Sequence, residues 1–230
     1  MPSSQKTSGK SPFDTEAFWG MPLVVILRGI DPAILKPLTL ALTQGGLKTI
    51  EVTMNTPGAA DQIRSLIQWH ASDGVQIGAG TVTDPSRLEE AVAAGASFIV
   101  TPQWDDQVVS MCQQMTLPFI PGCLTPTEIV RAHEAGALAA KLFPAEALGP
   151  GYVRAIKAPL PQIKLAPTGG VTVERLKAYM EAGADAFGIG SPLFPAKILA
   201  ARQWGEVERM AEHYCQTFKS ERLRRDSISD

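Results

Sequence analysis

Short apolar runs and amphipathic stretches alternate along almost the whole of this 230-residue chain, and that rhythm limits its fold more than any other feature. The apolar runs cover residues 23–27, 49–52, 75–78, 98–100, 118–120, 138–143, 163–166 and 186–189. Each is too short for a buried helix and reads as a strand covered on both faces. The stretches between them, such as 85–94, 126–135 and 173–182, repeat their apolar residues at helical spacing. Strands alternating with helices predict a parallel sheet with crossover helices. Eight such units predict a single (β/α)8 TIM barrel, since a doubly wound sheet alternates in the same way but typically uses fewer strands. With 45% hydrophobic residues the chain can fill one core of that size.

Glycines punctuate the repeat. Ala94-Gly95-Ala96, Ala135-Gly136-Ala137 and Ala182-Gly183-Ala184 each stand just before a predicted strand, and Gly45-Gly46 holds the same place earlier. Each suits the left-handed residue that ends a helix. Residues 13–218 are therefore expected to form the barrel, with a short helix over 13–19 closing its lower end and a final helix over 204–218 packed outside. Residues 1–12 are expected to be a flexible N-terminal segment, and 219–230, with Arg222-Leu223-Arg224-Arg225, a solvated and frayed tail.

Several function classes are excluded. The net charge is −2 and no basic stripe suits nucleic acid. No apolar run reaches the ~18 residues of a membrane span, and no signal-peptide core is present. Three widely spaced cysteines imply no disulfide framework. A cytoplasmic protein is expected. His70, His133 and His213 lack metal-ligand spacing, so no metal is expected. Cys123 reads as a small apolar filler, and Asp105-Asp106 as a helix start.

The chemistry of a barrel sits at the C-terminal ends of its strands. There, Lys141 is the one charge in Ala137-Leu138-Ala139-Ala140-Lys141-Leu142-Phe143-Pro144-Ala145. Burial favours its neutral amine, which can attack a ketone and form a Schiff base; the alternative is a lysine that snorkels out at a strand end. Glu51 lies inside another strand, as a general acid/base or as the buried partner of Arg28 or Lys141. Pro167-Thr168-Gly169-Gly170-Val171 and Gly188-Ile189-Gly190-Ser191 close the last two strands, where paired glycine loops commonly hold phosphate. Arg28 can grip a carboxylate with its planar fork, or pair with Glu51.

These motifs, taken together and in order, resemble the KDPG/KHG aldolase family (2-keto-3-deoxy-6-phosphogluconate aldolases, close also to 2-keto-3-deoxy-6-phosphogalactonate aldolases). The matching segments are Val25-Ile26-Leu27-Arg28, Ile50-Glu51-Val52-Thr53, Gly78-Ala79-Gly80-Thr81-Val82, Val100-Thr101-Pro102, Pro121-Gly122, Thr125-Pro126-Thr127-Glu128, Lys141-Leu142-Phe143-Pro144-Ala145 and the two glycine loops. The resemblance covers residues 13 to about 218. It implies a metal-free, cofactor-free class I aldolase, usually a homotrimer, that releases pyruvate and glyceraldehyde 3-phosphate from a phosphorylated keto acid. It implies Lys141 as the Schiff-base lysine and Glu51 as the general acid/base. Thr81, Pro102 and Phe143 would line the pyruvyl end, and Gly169, Gly170, Gly190 and Ser191 would hold the phosphate.

One position departs from part of the family. Some members carry an Arg four residues after the catalytic Glu, where Asn55 stands here. Other members, including galactonate-type enzymes, have an Arg at the place of Arg28, which would then take the substrate carboxylate. Asn55-Thr56-Pro57 resembles the galactonate type, whereas Thr168 in Pro-Thr-Gly-Gly resembles the gluconate type. The gluconate substrate, and with it Entner–Doudoroff catabolism, is the expectation; the galactonate epimer and 4-hydroxy-2-oxoglutarate are the alternatives. Two further rivals are a phosphosugar isomerase or epimerase, which shares the loops without covalency, and a non-enzymatic phosphosugar sensor.

Overall fold

The computed structural model describes residues 13–229. The expected flexible segment at residues 1–12 lies outside them. Strands β1 (Leu23–Leu27), β2 (Thr49–Thr53), β3 (Gln76–Gly80), β4 (Ile99–Val100), β5 (Phe119–Ile120), β6 (Gly122–Cys123), β7 (Ala140–Leu142), β8 (Leu165–Pro167) and β9 (Phe187–Ile189) alternate with helices. The helices are α1 (Thr15–Gly20), α2 (Pro32–Gln44), α3 (Ala59–Trp69), α4 (Pro85–Ala93), α5 (Asp106–Gln114), α6 (Pro126–Glu134), α7 (Ala145–Lys157), α8 (Val173–Glu181), α9 (Ala196–Ala200) and α10 (Trp204–Ser229). Asp14, Asp31, Asp84, Asp105, Thr125 and Thr172 cap six of the helices by accepting from a backbone N–H of the first turn. Gly46, Gly95, Gly136 and Gly183 all hold a positive φ, as their place after a helix requires.

The fold is a parallel α/β fold. One sheet has six strands in the order β5-β4-β3-β2-β1-β9, and a second has three in the order β6-β7-β8. This differs from the single eight-stranded ladder expected. The strand predicted over 118–120 is β5, and an unpredicted strand, β6, follows beyond Pro121, which separates the two because proline has no N–H to give to a ladder. The Pro121 carbonyl still accepts from Lys141 N at 2.9 Å. Backbone contacts also cross both gaps between the sheets. Leu138 N donates to Phe119 O at 2.9 Å, and Thr168 bridges Gly188.

The larger core cluster packs the helices against the strands. A smaller one draws Val24, Val100, Ile120, Ala139, Ala166 and Ala186 together from both sheets, with Phe13 and Phe18 beneath. Phe13 stacks within 5.4 Å of Phe98, so the segment before β1 closes the end of the strands away from the site, as expected.

The C-terminal expectation is corrected. Residues 219–229 continue α10 instead of fraying. Arg222 donates to the carbonyls of Trp19 and Gly20, Arg225 donates to Ala184 O, and Glu221 is buried against Lys177 and Arg224. The arginines that look like a solvated cluster in sequence are ties to α1 and to the loop before β9.

Candidate active site

Lys141 is the middle residue of β7 and only 4% exposed, so it does not snorkel out. Its strand neighbours in register are Gly122 and Ala166, both small, which leaves its stem room inside the fold. The ammonium lies 5.3 Å from the Phe143 ring centroid. Glu51 is 2% exposed on β2. Its carboxylate leans toward the C-terminal end of the strands, over Gly80: a Cβ there would sit 2.4 Å from Glu51 Oε1. Only glycine leaves the carboxylate that place.

Neither residue forms an ion pair or side-chain hydrogen bond with another described residue, so the salt-bridge reading of Glu51 fails. Burial raises the Glu51 pKa, and the charges of Lys141 and then Arg28 oppose it. Burial lowers the Lys141 pKa; the Glu51 charge opposes this and Arg28 adds to it. Both shifts favour the neutral forms. The neutral amine is the one that nucleophilic attack requires. A raised carboxyl pKa makes the ionised form the stronger base and the protonated form easier to keep, so the group can both take and return a proton.

Two spaces meet at Lys141 and Thr168. The inner one, also lined by Glu51, measures about 10 Å³ and has room for no more than about one water. The outer one is a cavity of about 440 Å³ lined by Arg28, Phe143, Gly169, Gly170, Gly190 and Ser191 among others. A substrate must therefore reach Lys141 from the outer side. Thr168 is buried, and its hydroxyl donates to Ala166 O at 3.2 Å. Gly188 permits this close packing, since a Cβ there would lie 2.5 Å from Thr168 Oγ1.

The glycine loops carry free donors. Among the described residues, none accepts from the N–H groups of Gly170, Val171, Gly190 or Ser191. Gly169 and Gly170 reach this arrangement through φ values of +102° and +65°, which a side chain would resist. Unpaired backbone donors beside a cavity favour an anion.

Arg28 is exposed at the cavity mouth and donates to Thr81 Oγ1 at 3.4 Å. Thr81 holds φ at +54°, a strained value for a β-branched residue. Thr81 and Pro102 do not line the cavity. Pro102 instead packs on Gly122, whose Cβ would lie 2.2 Å from the Pro102 backbone. Cys123 is buried and its thiol is pushed up to about 12 by burial, consistent with an inert filler. His70 is buried between Asp73 and Thr39.

One wall of the cavity escapes the sequence reading. Pro192, Phe194, Ala196 and Leu199, from the loop before α9 and α9 itself, cover its apolar side. The signal is the apolar Pro192-Leu193-Phe194-Pro195 directly after the second glycine loop.

Comparison with known proteins bears on the same segments. The family model for KDPG and KHG aldolase matches residues 17–210. The 2-dehydro-3-deoxy-6-phosphogalactonate aldolase of Escherichia coli (strain K12) is 37% identical over 177 residues, 76% of this chain and 86% of that one. The 2-dehydro-3-deoxy-phosphogluconate aldolase of Pseudomonas aeruginosa is 34% identical over 203 residues, 88% of this chain and 90% of its own. The solved KDPG aldolase of Legionella pneumophila, with pyruvate captured as a covalent carbinolamine, superposes with a TM-score of 0.78 at 28% identity, covering 90% of this chain and 98% of that one.

Proposed function

Because the chain belongs to the KDPG and KHG aldolase family, and is an aldolase and so a lyase, we propose that it cleaves 2-keto-3-deoxy-6-phosphogluconate to pyruvate and glyceraldehyde 3-phosphate through a Schiff base on Lys141. Family membership removes the isomerase and sensor rivals. The observation that carries the reading is the buried Lys141, which has no ion-pair partner among the described residues, in a cavity lined also by the two glycine loops and their free N–H groups. The proposal also takes the two sheets as one closed (β/α)8 barrel, supported by the backbone contacts across both gaps.

Neutral Lys141 attacks the C2 ketone, giving a carbinolamine that loses water to form the iminium. The same covalent chemistry is captured with pyruvate in the Legionella relative. Glu51, directly or through one water, takes the proton of the C4 hydroxyl. The C3–C4 bond breaks, its electron pair moves to the iminium, and the aldehyde leaves. Glu51 returns a proton to C3 of the enamine, and water releases pyruvate and regenerates the amine. Arg28, held by Thr81, binds the carboxylate end, with Phe143 shaping the pyruvyl pocket and Pro102 packed behind it on Gly122. The loops Gly169-Gly170 and Gly190-Ser191 bind the phosphate end. Fixing both ends aligns the bond that breaks, and remote phosphate binding lowers the barrier at the reacting centre.

Relatives of both epimer types match at similar identity, so the choice of epimer rests on Thr168. Thr168 lines the cavity together with Lys141, and its hydroxyl is taken as the group that senses the configuration at C4. The galactonate type is the alternative, favoured by Arg28 and Asn55. Two measurements test the proposal. Borohydride with pyruvate should label the wild type and leave Lys141→Ala unlabelled; a labelled variant removes Lys141 from the chemistry. Pyruvate release from the two C4 epimers, side by side, should favour the gluconate type, and equal or reversed rates would withdraw the substrate assignment.

A further inference from the structure

Arg175, on the first turn of α8, touches the back of the first glycine loop. Its Nη1 donates to Gly170 O at 3.1 Å and to Glu146 Oε1 at 3.1 Å. Gly170 O also accepts from Thr172 N at 3.1 Å. A Cβ on Gly170 would lie 2.6 Å from Arg175 Nη1 and 2.9 Å from Glu146 Oε2, so the ion pair rests directly on this glycine. Glu146 belongs to the first turn of α7, five positions after Lys141. Arg175 therefore ties the lysine-bearing segment to the glycine loop.

The peptide plane gives this tie a direction. In a trans peptide the C=O of one residue and the N–H of the next point opposite ways. Pinning Gly170 O toward Arg175 aims the Val171 N–H away from it, and that N–H, in a residue only 1% exposed, has no acceptor among the described residues. Arg175 also holds Glu146. This carboxylate lies against Gly170; unheld, it can accept from the loop's free N–H groups, and its charge repels a phosphate dianion. The pair itself is largely exposed, with side chains 42% and 65% accessible, so it adds little to stability.

We propose that Arg175 is a positioning residue for the phosphate subsite: it orients the Gly170–Val171 peptide for anion binding and keeps Glu146 from competing with the substrate's phosphate. This rests on the reading of the glycine loops as a phosphate site. The test compares kcat and KM for the 6-phosphate substrate and for 4-hydroxy-2-oxoglutarate, which carries no phosphate, with inorganic phosphate as competitor. A wild type that shows no preference for the phosphorylated substrate, and no competition by phosphate, would sink the phosphate reading itself. With that preference present, Arg175→Ala should lower the ratio of the two kcat/KM values roughly tenfold, mainly through KM. Adding Glu146→Gln should restore part of the ratio, and Arg175→Lys should retain most of it. An unchanged ratio in Arg175→Ala, an equal loss on both substrates, or no rescue by Glu146→Gln would overturn the proposal while leaving the phosphate site standing.

Discussion

Two buried residues with opposite charge tendencies define the chemistry at the scale of single side chains. Lys141 and Glu51 each resist ionisation because burial removes water, yet each charge supports the other. The consequences have opposite signs and can be measured. Imine formation needs the neutral amine, so borohydride trapping of pyruvate should rise with pH through the Lys141 titration, whose midpoint lies below 10.5. Glu51→Gln removes the charge that holds this pKa up, and its trapping curve should shift to lower pH. Arg28→Ala removes a charge that pushes the pKa down, and its curve should shift to higher pH. Shifts in the same direction would mean that the pair is not coupled as described. Glu51→Gln should also lose turnover by roughly 10²–10⁴ while still trapping pyruvate. Unchanged turnover would take Glu51 out of the mechanism.

At the scale of elements, the two deviations from expectation have physical causes. Pro121 separates β5 from the unpredicted β6, because a missing N–H interrupts pairing whatever the surrounding hydrophobicity. The opposite happens in α10, where a charged stretch that looks solvated is held in helical form by long-range bonds. Arg222 fills the carbonyl ends of α1, and Arg225 reaches Ala184 O. A chain truncated after Phe218 loses these bonds, worth about 2 kcal/mol together. Its melting temperature should fall by roughly 4–8 °C. The site lies at the other end of the strands, so kcat should stay within about twofold of the full chain. A melting temperature equal to that of the full chain would show that the helix end contributes nothing to stability.

At the scale of the whole molecule, the legible and the illegible parts separate by range. The alternating pattern, the glycines that stop helices and the lysine stranded in an apolar run are local facts, and hydrophobic burial with backbone sterics suffices to read them. They determined the parallel α/β class, the order of elements and the candidacy of Lys141, Glu51 and the two glycine loops. Only the tertiary structure decided what those residues meet. Nothing local says that Gly80 makes room for the Glu51 carboxylate, that Thr81 stands outside the cavity, or that α9 walls it. Nor does a run of charges announce that α10 will grip α1, or that Arg175 will seize the carbonyl of Gly170. These contacts join residues far apart in sequence, and they exist only once strand register and helix packing have brought their partners to the same place.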